Sequence, residues 1–204
     1  GILPLPVTLA GYAAAIGIAA LCVRRIRAHE DPRAQVPRAA LLSAAFFVAA
    51  LIHVPLPPVS VHLTLNGLLG VVLGWFAFPA ILIGLFLQAV MFGHGGLTTL
   101  GINVVIFGIP ALAAFGLMQV FGRSENRLSQ AVVGFAAGAG SVAVSLALFS
   151  GILLSGLPAH LDAGAERAAI TALALAHVPL AVAEGLVVVA VLGFLRRVSP
   201  EMVR

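Results

Sequence analysis

No lysine occurs in this chain of 204 residues, and all 11 of its basic residues are arginine. A Walker-type phosphate loop needs a lysine on the nucleotide phosphates, and Schiff-base chemistry needs a lysine amine, so both are excluded. Energy, if used, must then come from a partner or a gradient. Cysteine occurs once, as Cys22, which rules out an internal disulfide and any Cys-x-x-Cys metal or redox site. Charge of either sign is scarce. Charged residues make up 9% of the chain, against roughly 25% in a soluble domain that must cover its surface. Water is therefore not the main solvent. The formal charge of +4 does not point to nucleic acid, because the arginines sit in short loops beside apolar stretches, without a basic stripe or interleaved aromatics.

What the chain holds in excess is apolar sequence, 61% of its residues. It comes in blocks of about 20 between short polar breaks, enough for a helix to cross roughly 30 Å of hydrocarbon at 1.5 Å per residue. The expectation is an all-α membrane protein, a single transmembrane domain over residues 1–204. The first apolar block opens the chain with no basic leader and runs into an Arg-rich loop, a pattern unlike a signal peptide.

The first span is expected over 3–23, followed by a loop with Arg24, Arg25, Arg27, Arg33 and Arg38 and with Pro32 and Pro37 as helix stops. The positive-inside rule makes this loop cytoplasmic and the N-terminus external. A second span over 39–54 ends in Pro55-Leu56-Pro57-Pro58, which favours extended backbone. The next apolar stretch, from Leu63 to Phe92, is long for one span and short for two. Breaking it near Trp75 to Pro79 gives spans over 63–75 and 78–92, then 98–121, 128–154 and 168–195, about seven in all. Ten of the eleven arginines then lie inside, with only Arg167 outside and the C-terminus cytoplasmic. The short third helix is acceptable if tilted or buried among neighbours. Gly67, Gly70 and Gly74 are spaced for close helix approach.

On this topology His53, His62 and His94 converge at the outer ends of the central spans. Imidazole without thiolate, and with hardly any carboxylate, suits Ni²⁺, Cu²⁺, Zn²⁺ or Co²⁺ rather than Mg²⁺ or Ca²⁺. The competing reading is that each histidine bonds a carbonyl or sits at the membrane interface. In Pro57-Pro58-Val59-Ser60-Val61-His62-Leu63-Thr64-Leu65-Asn66-Gly67 the backbone delivers His62 to a helix start, with Ser60 or Thr64 as cap and Asn66 four residues on, sharing its face. A plain external loop with its cap is the alternative. In the last span His177 and Glu184 share a face but lie about 10 Å apart along the axis, so each needs another partner. An ionisable group within a span is a functional candidate by default, here either in a structural network or in transport coupling.

The stretches PPVSVHLTLNGLLGVVLG, FGHGGLTTLGINV and AHVPLAVAEG, in that order and spacing, resemble the CbiM/NikM family over essentially the whole chain. Its members are the membrane-embedded substrate-capture components of energy-coupling-factor transporters for cobalt and nickel. Family members open Met-His-Ile-x-(Glu or Asp)-Gly, and Gly1-Ile2-Leu3-Pro4 resembles that opening from its Gly onward, so the five preceding residues are expected ahead of Gly1. The resemblance implies Co²⁺ or Ni²⁺ as transported substrate and no organic cofactor. It implies a nitrogen-only, near-square-planar site made by the N-terminal amine, the next residue's backbone nitrogen and imidazole, and one His from the loop entering the third helix. That last ligand falls on His62. His53, Asn66, His94 and Asn103 are then neighbours that orient the ligands or position loops. Implied partners are a transmembrane coupling protein and two ATPase subunits, with a small accessory membrane subunit as a further candidate. No enzymatic activity is implied for this chain, and the location is the bacterial plasma membrane.

Two other classes use the same residues. An intramembrane metalloenzyme or haem-binding redox subunit would place histidines on facing helices deep in the membrane, whereas these three lie near one surface. A channel needs a continuous polar path, and between His177 and the cytoplasmic face the sequence offers only Glu184.

Overall fold

The computed structural model describes residues 3–56, 59–122, 124, 126–156 and 163–199. The first helix, α1, spans Leu5–Arg27, with proline in its first turn, where the missing N–H would have no partner. Arg24, Arg25 and Arg27 fill its last turn and complement the negative end of the helix dipole. A short 3₁₀ turn, Arg33–Gln35, is fixed by Asp31, whose Oδ1 accepts the Arg33 and Ala34 amides at 3.2 Å each. It leads into α2, Val36–Ala49.

Of the Pro-rich segment after α2, Pro55 and Leu56 are extended, as expected, Pro57 and Pro58 lie outside the described residues, and the strands on either side pair with each other. Strands β1, His53–Leu56, and β2, Val59–His62, form an antiparallel hairpin with His53 opposite His62 and Leu56 opposite Val59. Helix α3, Asn66–Leu73, then runs to a 3₁₀ turn at Gly74–Phe76 and on into α4, Ala77–Phe92. The break sits at Gly74, whose φ of 56° and ψ of −123° suit a residue without Cβ. A 3₁₀ turn at Leu97–Thr99 precedes α5, Leu100–Phe121, followed by α6, Arg127–Gly156, and α7, Ala163–Val198.

Side-chain contacts fix the helix directions. Asn66 reaches Phe107, a Cβ on Gly70 would meet Ala111, and a Cβ on Gly74 would meet Phe115, so α3 and α5 run parallel. At Gly70 that Cβ would lie 1.9 Å from the Ala111 carbonyl oxygen, which makes glycine the condition for this approach. α1 runs the same way, with Tyr12 against Leu97 and Gly101 at one end and Arg25 over the Trp75 ring, which itself packs on Phe115, at the other. α2 and α4 are also parallel to each other, because Ser43 donates to the Ala80 carbonyl while Gln88 donates to that of Phe47. α6 and α7 are antiparallel, since Gly134 faces Leu192 and Gly138 faces Glu184. One end of the bundle therefore gathers the start of α1, the hairpin and the loop at 93–96. The other gathers Arg24, Arg25, Arg27, Arg38, Arg127, Arg196 and Arg197.

Among the described residues five stretches have the length and hydropathy to cross a membrane, not the seven expected. α2 has 14 residues, about 21 Å of helix against roughly 30 Å of hydrocarbon, and α3 with α4 counts as one stretch, Asn66–Phe92. That central stretch is 61% buried across its apolar window, while α1 is 11% buried and turns Leu5, Leu9 and Ile16 outward. Outward apolar side chains are what a lipid solvent requires.

Candidate functional site

At the hairpin end a cavity of about 280 Å³ opens between the helices. Its walls are largely apolar, with Phe46, Leu85, Phe107 and Phe149 among them, and its polar groups include His62, His94, His177, Gln88 and Asn103. The expected convergence of His62 and His94 is present. Their rings lie 5.8 Å apart between centroids, in an edge-to-face arrangement. His53 stands opposite His62 in the hairpin register, and its side chain lies outside the described residues. Among the described residues no three His, Cys, Asp or Glu side chains are grouped to hold a metal unaided.

His62 does not start a helix, as the sequence suggested. It ends β2, and α3 begins four residues later, so His62 and Asn66 share no helical face. Nor do Ser60 and Thr64 cap α3. Ser60 is in β2, and the residue before the helix is Leu65, at φ 47°, a left-handed conformation that a branched side chain enters only at a cost of about 1–2 kcal/mol. A carboxylate from another helix holds it there. Glu184 of α7 accepts, on Oε1, the Thr64 amide, the Thr64 hydroxyl at 2.7 Å and the Leu65 amide at 3.1 Å. The carboxylate also faces the positive end of α3. Oε2 of Glu184 is buried without a hydrogen-bond partner among the described residues.

Asn66 is the second half of this clasp. It is fully buried, and its Nδ2 donates to Ser145 Oγ at 2.8 Å and to the Phe107 carbonyl at 3.4 Å. Its Oδ1 accepts the Gly67 amide at 2.9 Å and faces the hydroxyls of Ser141 at 3.0 Å and Thr64 at 3.1 Å. Ser145 Oγ in turn donates a hydrogen bond to the Ile106 carbonyl at 3.0 Å. Buried polar groups are costly unless paired, and here α3, α5, α6 and α7 are tied together beneath the cavity floor by satisfying one another.

The loop carrying His94 is held differently. Gly93, Gly95 and Gly96 all have positive φ, between 65° and 73°. The Gly95 carbonyl accepts from Thr99 Oγ1 and from Asn103 Nδ2, the latter at 3.5 Å, so Asn103 positions the loop from α5. Tyr12 donates to the Leu97 carbonyl, which docks α1 beside the same loop.

His177 and Glu184 are not partners. His177 Nδ1 lies 2.8 Å from the Leu173 carbonyl one turn back and lines the cavity, whereas Glu184 serves the clasp below it. Sequence reasoning overlooked Ser141, Ser145 and Gln88. The two serines are four apart and so share a face of α6, and Gln88 is a lone amide in an apolar run that is 1% exposed, so both signals were on the page.

The family model for the "Cobalt uptake substrate-specific transmembrane region" (CbiM) matches residues 1–202. A "Putative metal transport protein" of Haemophilus influenzae is 36% identical, covering 99% of this chain and 94% of that protein. A "Fused nickel transport protein NikMN" of Rhodobacter capsulatus is 32% identical over 82% of this chain and 52% of its own length. Among solved structures, one titled as a truncated transition metal transporter superposes with a TM-score of 0.78 at 24% identity, covering 97% of this chain and 96% of that one. At that identity the superposition speaks for the fold.

Proposed function

Because the chain belongs to the CbiM family, and is thus a multi-pass membrane component of cobalt and nickel transport, we propose that it captures Co²⁺ or Ni²⁺ at the outer face of a bacterial plasma membrane and passes it inward. The observation that carries this reading is the cavity with His62 and His94 side by side at its polar wall. His62 is the primary ligand. His94 and Asn103 hold the facing loop, Asn66 fixes the floor, and His53 lies across the hairpin from His62. One imidazole alone binds a borderline ion weakly, so the remaining nitrogens come from the chain ahead of α1, as its terminal amine and the next residue's backbone nitrogen and imidazole. The contact between Tyr12 and Leu97, which docks α1 beside the loop carrying His94, supports this reading.

Seven crossings with the N-terminus outside, in one transmembrane domain, account best for the alternating helix directions. α2, α3 and α4 are then short spans shielded by their neighbours. The arginine-rich end faces the cytoplasm by the positive-inside rule. With no lysine for a phosphate loop, ATP is hydrolysed by two partner subunits acting through a transmembrane coupling protein.

Uptake of radiolabelled nickel or cobalt into cells expressing this chain tests the reading. Sustained accumulation is expected only with the coupling and ATPase subunits co-expressed. Clear ATP hydrolysis by the purified chain would overturn it.

A further inference from the structure

A second groove lies at the arginine-rich end, between the first turns of α6 and the last turns of α7, with a volume of about 230 Å³. Arg127 and Gln130 come from α6, and Arg196 and Arg197 from α7. Three guanidiniums from neighbouring helices thus border one space, and among the described residues none of them is in a salt bridge. The nearest acids in sequence, Glu125 and Glu201, lie outside the described residues. Like charges converge in this way at a cost unless an anion fills the space between them.

The rest of the groove says what kind of anion. Below the arginines it is lined by Ala131, Val189 and Leu192, and beside it Leu128, Val132, Leu186 and Phe194 point outward into the space that lipid occupies. A soluble anion has no use for an apolar lower wall, whereas a phospholipid presents a phosphate above and an acyl chain below. Gly193 lines the groove, and a Cβ built on it meets no atom within 4 Å, so the space in front of it is open. The volume equals that of several waters at about 30 Å³ each, enough for a phosphodiester with part of its glycerol. Basic pockets between membrane helices are suited to anionic head groups.

We propose that this groove binds the phosphate of an anionic phospholipid, gripped by Arg127, Arg196 and Arg197, with Gly193 leaving room for it. This is independent of the metal site at the other end of the bundle.

Native mass spectrometry of the full-length protein, released from mixed phosphatidylglycerol and phosphatidylcholine micelles, tests the proposal. Retention of phosphatidylglycerol over phosphatidylcholine is expected. Each arginine changed to glutamine should weaken it about fivefold, and R127Q/R196Q/R197Q on the order of a hundredfold. Gly193→Phe keeps every charge and should block retention as well, which guards against misfolding of the triple variant. Inorganic phosphate in millimolar excess should not compete. Equal retention of both lipids, selectivity that survives the triple variant, or displacement by free phosphate would each overturn the lipid assignment. So would unchanged lipid selectivity in a triple variant that instead fails to dock on the coupling subunit, which would mark the groove as a protein contact.

Discussion

The two ends of the bundle each carry a cavity, and they are built by opposite means. At the hairpin end the chemistry is three uncharged-capable imidazoles in a mostly apolar wall, standing on a buried network in which Asn66 and Glu184 tie four helices together. At the other end the chemistry is three arginines with, among the described residues, no such network beneath them, on helix ends whose apolar side chains point outward. A metal ligand must sit within a few tenths of an ångström of its ion, so its support must be rigid. A head-group site needs charge and room, and flexible arginines supply both. Changes under the histidines should therefore cost stability and geometry together, while changes among the arginines should cost neither.

The largest effect is expected from Glu184→Leu. It strips the acceptor from the Thr64 and Leu65 amides, each worth about 1–3 kcal/mol when buried and unpaired, while the Thr64 hydroxyl keeps Asn66 Oδ1 as an acceptor. Partial relief comes from losing the unpartnered Oε2. A net destabilisation of about 3 kcal/mol should appear as a lowered melting temperature in detergent, with metal binding weakened alongside. Glu184→Gln keeps an oxygen for the same donors and should recover most of the loss. If Leu and Gln behave alike, the clasp does not depend on this acceptor and the contrast between the ends is lost.

Next in size is His94→Ala. His94 is exposed on a loop held by glycine conformations and by Asn103, so folding should be untouched. Nickel affinity by calorimetry should fall about 10- to 100-fold, the range for a group that orients a ligand. No loss would remove His94 from the site.

The smallest effect sharpens the comparison from the other side. Arg196→Gln should leave nickel affinity within about twofold of the parent, because the arginine groove lies at the opposite end of the bundle from His62. A tenfold change would mean that the two ends are coupled.

Much of this was readable in the sequence because membrane helices announce themselves by length and hydropathy. A break in the stretch from Leu63 to Phe92, expected near Trp75 to Pro79 and found at Gly74–Phe76, the meeting of His62 with His94 and the close approach at Gly70 followed from local pattern and loop placement. The local pattern shows extended backbone but not the strand pairing, since Pro55, Pro57 and Pro58 remove donors and mask a pairing signal. The bond from Glu184 to Thr64 spans 120 residues of sequence, and no periodicity encodes it. Two short helices, α2 and α3, escape a length criterion because the hairpin and the network below it occupy depth that a full helix would otherwise fill.

The central claim is that His62 holds the transported metal. Its most direct test is calorimetric titration of Ni²⁺ and Co²⁺ into protein whose native N-terminus has been verified by mass spectrometry, beside its His62→Ala variant. The account predicts one bound ion per chain and a loss of affinity well beyond about 100-fold in the variant, more than any change in a supporting group should cause. Tight binding undiminished by His62→Ala would place the metal elsewhere and contradict it.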